Sequence, residues 1–128
     1  MNRHENEKQS QEPPYDICER TFLFALRVVQ MCSRLQGRSV VGQVLVKQFL
    51  RSGTSIGANI EEGQAAQSRA DFVSKYSIAR KEAREANYWL RLLAASGIHN
   101  DKEVAELTSE STQLVKILTT IIKNARNQ

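Results

Sequence analysis

The residues best suited to chemistry lie in a polar stretch that covers residues 51–63. This stretch, RSGTSIGANIEEG, carries small and polar side chains where a helical pattern would otherwise place apolar ones. It includes Asn59 and Glu62, and Glu82 and Glu85 follow on the next predicted helix. Carboxylates can act as general acids or bases, or as metal ligands inside a helical bundle, so a catalytic site is the first possibility to weigh.

The spacing of the remaining reactive residues argues against an enzyme. A bridged metal pair in a helical bundle needs two Glu-x-x-His motifs, and neither His4 nor His99 follows a glutamate by three residues. Cys18 and Cys32 are fourteen residues apart on one predicted helix. That spacing separates them by about 21 Å, which excludes a disulfide. The sequence therefore predicts no catalytic residue, no metal site and no cofactor.

Four amphipathic helices position these residues. Apolar side chains recur at steps of three and four in residues 15–35, in a segment that starts at Val40, in residues 72–93 and in residues 101–124. Gly37 and Gly97 mark breaks, while Ser39, Ser68 and either Asn100 or Asp101 are placed to cap the helices that follow. We expect an all-α, antiparallel up-down-up-down four-helix bundle over residues 15–128, preceded by a disordered polar tail over residues 1–14.

The polar stretch permits two interpretations. Its stripe of polar residues could form a satisfied internal network, hydrogen-bonded across the bundle to acids of the third helix or to an arginine, or it could form a ligand surface. We predict the network, whose members are Ser52, Ser55, Asn59, Glu62, Glu82 and Glu85. The small residues of this stretch are expected to pack against Ala79, Ala83 and Ala86.

The positive charge is concentrated in one part of the chain. The net charge is +4 and the pI is about 9.3, yet residues 20–60 contain six cations and no acid. Three of these arginines recur every seven residues, so they could pair with acids beside a helix contact or bind nucleic-acid phosphates. The predicted phosphate contacts are Arg20, Arg27, Arg34, Arg38, Lys47 and Arg51.

The third helix carries two further surface features. Tyr88 and Trp89 add apolar area beyond the core face, which predicts an oligomer interface. Arg80, Arg84 and Arg91 form a second cationic stripe. We expect this stripe to make solvated ion pairs with the acids that intervene in the sequence.

Several motifs together resemble a known family. They are the run at 51–63, then DFVSK at 71–75, IARKEARE at 78–85 and YWL at 88–90. With them the chain resembles the bacterial four-helix-bundle proteins first associated with intervening sequences in 23S ribosomal RNA genes. It is also similar to the accessory variability determinant of diversity-generating retroelements, a basic pentameric bundle that binds nucleic acid and partners a reverse transcriptase.

The resemblance implies a homopentameric ring of bundles. Ser55, Asn59, Glu62 and Glu85 match the family's polar positions, which are not established catalytic residues there. Many members have proline where this chain has Gly57, so the resemblance does not fix a bend in the second helix.

We therefore expect a non-enzymatic, ring-shaped homo-oligomer that acts as a nucleic-acid-binding or ribonucleoprotein accessory protein. The alternative is a protein–protein scaffold that recruits a reverse transcriptase or ribosome-associated partner without touching RNA or DNA itself. The apolar runs are too short for a membrane span and no signal-peptide pattern opens the chain, which predicts a cytoplasmic protein without a membrane partner.

Overall fold

The computed structural model describes residues 16–35 and 39–128, and the described chain folds into four α-helices. These are α1 (Ile17–Arg34), α2 (Val40–Gln64), α3 (Arg69–Ala95) and α4 (Lys102–Arg126). The four-helix, all-α prediction is confirmed. The tail at 1–14, the break at Gly37 and the predicted phosphate contact Arg38 lie outside the described residues.

Side-chain caps begin all four helices. The side chains of Asp16, Ser39, Ser68 and Asp101 each accept a hydrogen bond from a backbone N–H two or three residues later. Such caps satisfy amide groups that have no partner within the helix. Gly97 follows the end of α3 with φ of 77°, a left-handed conformation that glycine adopts without strain. The caps predicted at Ser39 and Ser68 are therefore confirmed, and of the two candidates for the last helix the structure shows Asp101.

The helices bury one continuous apolar core. Phe24 and Val28 of α1 lie in it with Ile56 and Ile60 of α2, and they are at most 2% exposed. α3 and α4 contribute most of the remaining side chains, which include Tyr76, Ala79, Ala83, Leu90, Leu107, Leu114 and Leu118. None of the described helices is long and apolar enough to cross a membrane.

Gly53 and Gly57 of α2 face a different helix from the one expected, while Gly63 lies against Tyr76 of α3. A Cβ atom on Gly53 would lie 2.8 Å from Cγ2 of Val28, and one on Gly57 would lie 3.3 Å from the carbonyl oxygen of Thr21. Both neighbours belong to α1. Residues four apart share one side of a helix, and the side that carries Gly53 and Gly57 is turned toward α1. The small residues thus allow α1 and α2 to approach closely, and α2 runs unbroken through Gly57.

Candidate nucleic-acid interface

The three arginines of α1 are paired with glutamates of α4. The pairs are Arg20 with Glu110, Arg27 with Glu106 and Arg34 with Glu103. The first pair is bidentate, because Nε and Nη2 of Arg20 donate to the two carboxylate oxygens over 2.8 and 2.7 Å. This hydrogen bonding raises the pKa of Arg20 further, so its guanidinium stays charged inside the pair.

Ion pairing largely neutralises this stripe. The Arg27 guanidinium also lies 3.8 Å from a second carboxylate, that of Glu103. Of the two interpretations of the seven-residue repeat, the structure shows the pairing with acids beside a helix contact. A phosphate group would have to displace these carboxylates in order to bind there.

The two other predicted phosphate contacts, Arg51 and Lys47 of α2, differ in whether they are ion-paired. Arg51 donates to Glu82 over 3.2 Å and to Glu85 over 2.5 Å, so two carboxylates share its charge. The hydrogen bond from Arg51 also lowers the pKa of Glu85 below its ordinary value. Lys47 is exposed and has no carboxylate within ion-pair distance among the described residues.

The polar stripe of α2 is satisfied within its own helix, which corrects the predicted cross-bundle network. The hydroxyl of Ser52 donates to the carbonyl of Phe49, and the hydroxyl of Ser55 donates to that of Arg51. Asn59 donates to the carbonyl of Ser55 over 2.8 Å. Short polar side chains reach the carbonyl three or four residues earlier more easily than they reach a neighbouring helix.

The long charged side chains make the α2–α3 connections instead. Arg51 reaches Glu82 and Glu85, and Glu62 pairs with Lys75 over 3.0 Å. The six residues predicted as one network therefore divide into local hydroxyl and amide contacts and two separate ion-pair groups.

Tyr88 and Trp89 have unequal surroundings. Trp89 is half-buried against the core, and its indole N–H donates to Glu85 over 3.3 Å. Tyr88 is 49% exposed and packs edge-on against the Trp89 ring. Their role as an oligomer interface stays a prediction.

The outer side of α1 is an apolar surface that sequence reasoning missed. Phe22 is 60% exposed, and Leu23, Leu26 and Val29 are each more than 40% exposed. The signal was present in the run TFLFALRVV, where apolar residues also occupy positions outside the core stripe. A helix that is apolar around most of its circumference normally has neighbours on more than one side. We call these four residues the outer face of α1.

The cationic stripe of α3 does not pair as expected. Arg80 donates to the hydroxyl of Thr119 over 3.5 Å, and Arg91 donates to the amide oxygen of Asn87 over 2.9 Å. Neither these arginines nor Arg84 has a carboxylate within ion-pair distance in the described part of the chain. The expected acids of α3 point toward α2 and bind Arg51 there.

The described residues contain no group of three or more histidine, cysteine or acidic side chains that could hold a metal ion. Cys32 is buried, and this burial raises the pKa of its thiol to about 11. A thiol with such a pKa is almost entirely protonated near neutral pH and is a poor nucleophile.

The model of the 23S rRNA-intervening sequence protein family matches residues 14–120 of this chain. The chain belongs to this family. A crystal structure of a protein of unknown function from the S23 ribosomal protein family of Bacteroides thetaiotaomicron VPI-5482 is similar to it at 43% sequence identity. The similarity covers 84% of this chain and 98% of that one, with a TM-score of 0.76. No curated protein matches the chain.

Membership of the intervening-sequence family confirms the resemblance carried by residues 51–63 and the runs that follow them. It supports a four-helix protein, and the solved relative is itself a protein of unknown function. The family match does not establish an activity for this chain. Its function is inferred from the surfaces of the bundle.

Proposed function

We propose that this chain is a non-enzymatic accessory protein that binds nucleic acid as a ring-shaped homopentamer. The observation that carries the proposal is the uncovered apolar outer face of α1 on a protein whose net charge is +4. The apolar face requires a partner, and the positive charge favours an anionic ligand. The names of the family and of its solved relative, which refer to 23S rRNA and to a ribosomal protein, support RNA as that ligand.

The outer face of α1 is suited to association between copies. Its most exposed member, Phe22, offers a large ring, and Leu23, Leu26 and Val29 follow on the same helix. Burying such side chains contributes about 25 cal/mol for each Å² of apolar surface removed from water. In a monomer these side chains would stay in contact with water and would not provide this stabilisation.

A second apolar surface makes a ring the natural assembly. Val40, Val41 and Val44, which begin α2, are between 56% and 77% exposed. Val44 precedes Gly53 by nine residues, which is about two and a half helical turns, so it lies opposite the side that faces α1. Two different apolar surfaces on one molecule favour head-to-tail contacts, and these close into a ring when the rotation between copies allows it.

The bundle itself is proposed to run up-down-up-down. The α1–α4 ion pairs support this topology, since Arg20, Arg27 and Arg34 rise in number while their partners Glu110, Glu106 and Glu103 fall. Short connections between consecutive helices favour the same arrangement.

The ring is tested by measuring the mass of the purified protein with light scattering and native mass spectrometry. We expect a pentamer for the wild type and a monomer for the double variant F22E/L26E, whose charges would be buried at the contact. The control is Gln113→Glu, an added charge at an exposed position on α4. A monomeric wild type at micromolar concentration would overturn the ring.

Nucleic-acid binding is tested by titrating labelled RNA and DNA at two salt concentrations. We expect binding to RNA that weakens steeply as the salt concentration rises. If the assembled protein binds neither at low salt, the scaffold alternative replaces this function. The outer face of α1 would then be sought as a docking surface for a reverse transcriptase or a ribosomal component.

A further inference from the structure

No side-chain carboxylate takes part in the hydrogen bonds that join α3 and α4 in the described residues. The side-chain amide of Asn87 donates to the carbonyl of Thr108 over 3.2 Å, to the hydroxyl of Ser111 over 2.9 Å and to that of Thr112 over 3.1 Å. Arg80 adds its hydrogen bond to Thr119. This composition differs from the α1–α4 contact, where carboxylates neutralise every arginine of α1.

The carboxylates near α3 and α4 are engaged elsewhere. Glu82 and Glu85 of α3 bind Arg51 on the α2 side. The glutamates of α4 all lie in its first half and face the arginines of α1. From Ser111 to Gln128 the chain has no acidic residue. Cations on the side shared by α3 and α4 therefore keep their full charge.

Arg69 and Arg126 lie at one end of that side, and the register of five further cations along it can be read from the contacts. Thr119 and Thr112 of α4 contact Arg80 and Asn87 of α3, so a step of seven residues along one helix matches a step of seven along the other. Residues four apart share one side of a helix. We call the five cations the α3–α4 cationic face; they are Arg80, Arg84, Arg91, Lys116 and Lys123.

Each member of this face either takes part in one of those contacts or lies four residues from a residue that does. Arg84 follows Arg80 by four residues, and Arg91 both follows Asn87 by four residues and is bonded to it. On α4, Lys116 and Lys123 follow Thr112 and Thr119 by four residues. Arg84, Arg91 and both lysines are exposed to solvent, and Arg80 is half-buried.

The dimensions of the face suit a nucleic-acid backbone. Arg80 and Arg91 are eleven residues apart, which separates them by about 16 Å along α3. Two parallel rows of cations over that length could contact phosphates along several successive nucleotides. Guanidinium groups bind phosphate oxygens in a bidentate manner, which suits the three arginines of α3 to this role.

We propose that the nucleic acid binds through its phosphate backbone to the α3–α4 cationic face and that the α1 arginines take no direct part. This assignment rests on the proposed function and specifies its binding surface. It replaces the six phosphate contacts predicted from the sequence. Four of the six are arginines that are already ion-paired, and a fifth, Arg38, lies outside the described residues. Sequence-independent binding is expected, because backbone contacts carry no base information.

A comparison of two triple variants tests the assignment. R80Q/R84Q/R91Q and R20Q/R27Q/R34Q remove the same number of charges, so any effect of net charge alone is equal in both. The probe is a fluorescein-labelled RNA hairpin, and its affinity is measured by anisotropy over a series of NaCl concentrations. Native mass spectrometry establishes that each variant has the same assembly state as the wild type.

The α3 variant is expected to bind about a hundredfold more weakly in moderate salt, and its slope of log K against log salt should fall by about 2.7 for each subunit that contacts the RNA. The α1 variant should keep a slope within about one unit of the wild type while its melting temperature falls, because unpaired glutamates remain beside α1. The pair K116Q/K123Q gives a second, independent reduction of about 1.8 in the slope if the α3 variant fails to fold.

The outcomes separate the two proposals. Loss of binding in the α1 variant with unchanged binding in both α3–α4 variants would overturn the assignment and leave the function standing. Displacement of the RNA by polyglutamate at an equal concentration of charge would identify an acidic protein as the ligand class and would also overturn it. Failure of the wild type to bind RNA or DNA at low salt would remove the proposed function itself.

Discussion

Gly53→Ala gives a direct measure of how closely α1 and α2 pack. An added Cβ would lie 2.8 Å from Cγ2 and 2.9 Å from Cγ1 of Val28, well inside ordinary van der Waals contact. Val28 is fully buried, and its branched side chain has little rotational freedom. Overpacking of a filled core costs roughly 1–3 kcal/mol. The neighbouring helix must therefore shift, or the valine must leave its preferred rotamer.

A second effect acts in the opposite direction. Alanine is more favourable than glycine inside a helix by about 0.8–1 kcal/mol. Taking about 2 kcal/mol for the overpacking leaves a net loss of about 1 kcal/mol in the free energy of unfolding. The sign of the measured change therefore decides whether the packing or the helix propensity dominates.

The assay is urea unfolding followed by circular dichroism at one fixed protein concentration, since assembly makes stability depend on concentration. Val28→Ala completes a double-mutant cycle. In that background the two methyl groups that would meet the new Cβ are gone, so Gly53→Ala should stabilise by up to about 1 kcal/mol, a coupling of about 2 kcal/mol. If Gly53→Ala stabilises the wild type by the full helix-propensity gain, the close approach inferred here is wrong.

Three further predictions concern the polar groups. Asn87→Ala should lower the free energy of unfolding by about 1–2 kcal/mol, because three oxygens of α4 lose their amide donor; calorimetry checks this, and a neutral result would show that the contact is dispensable. The pKa of Glu85 lies below its ordinary value of 4.5, so its pair with Arg51 stabilises the fold at neutral pH and this contribution is lost as the pH falls through the lowered pKa. The stability difference between the wild type and Arg51→Gln should accordingly shrink in urea titrations taken from about pH 7 to about pH 3, and a constant difference would contradict the pairing. Cys32, with a pKa of about 11, should react with a thiol reagent near pH 8 only as fast as the protein unfolds, measured with the other cysteine changed to serine; rapid labelling would show that it is not buried.

The local residue pattern was sufficient to predict the helices of this fold. Steps of three and four between apolar residues identified the four helices. The caps at Ser39 and Ser68 were recognisable because a cap bonds an amide only three residues away, and the last cap was narrowed to Asn100 or Asp101. The polar residues of α2 were also recognisable as a stripe. Their hydrogen bonds were assigned to the wrong partners, since a helix offers Ser55 and Asn59 a carbonyl four residues back at no cost in long-range geometry.

The ion-pair partners of the charged side chains could not be predicted from local spacing. The heptad of arginines on α1 placed them at the edge of a contact, but the acids that neutralise them lie 69 to 90 residues later in the chain. The stripe on α3 looked similar in the sequence and even had acids between its members. Only the docking of α2 against α3 draws those acids toward Arg51 and leaves Arg80, Arg84 and Arg91 without carboxylates.

The sequence by itself thus determined the four helices, their caps and the family, because each depends on residues close together in the chain or on a run of consecutive residues. The tertiary structure alone decided that Gly53 and Gly57 face α1, that the α1 arginines are neutralised and that Arg80, Arg84 and Arg91 have no carboxylate partner among the described residues. A helix of given periodicity can be rotated against several neighbours with similar burial. The choice among those rotations is made by packing and ion pairing between distant segments, which no local spacing encodes.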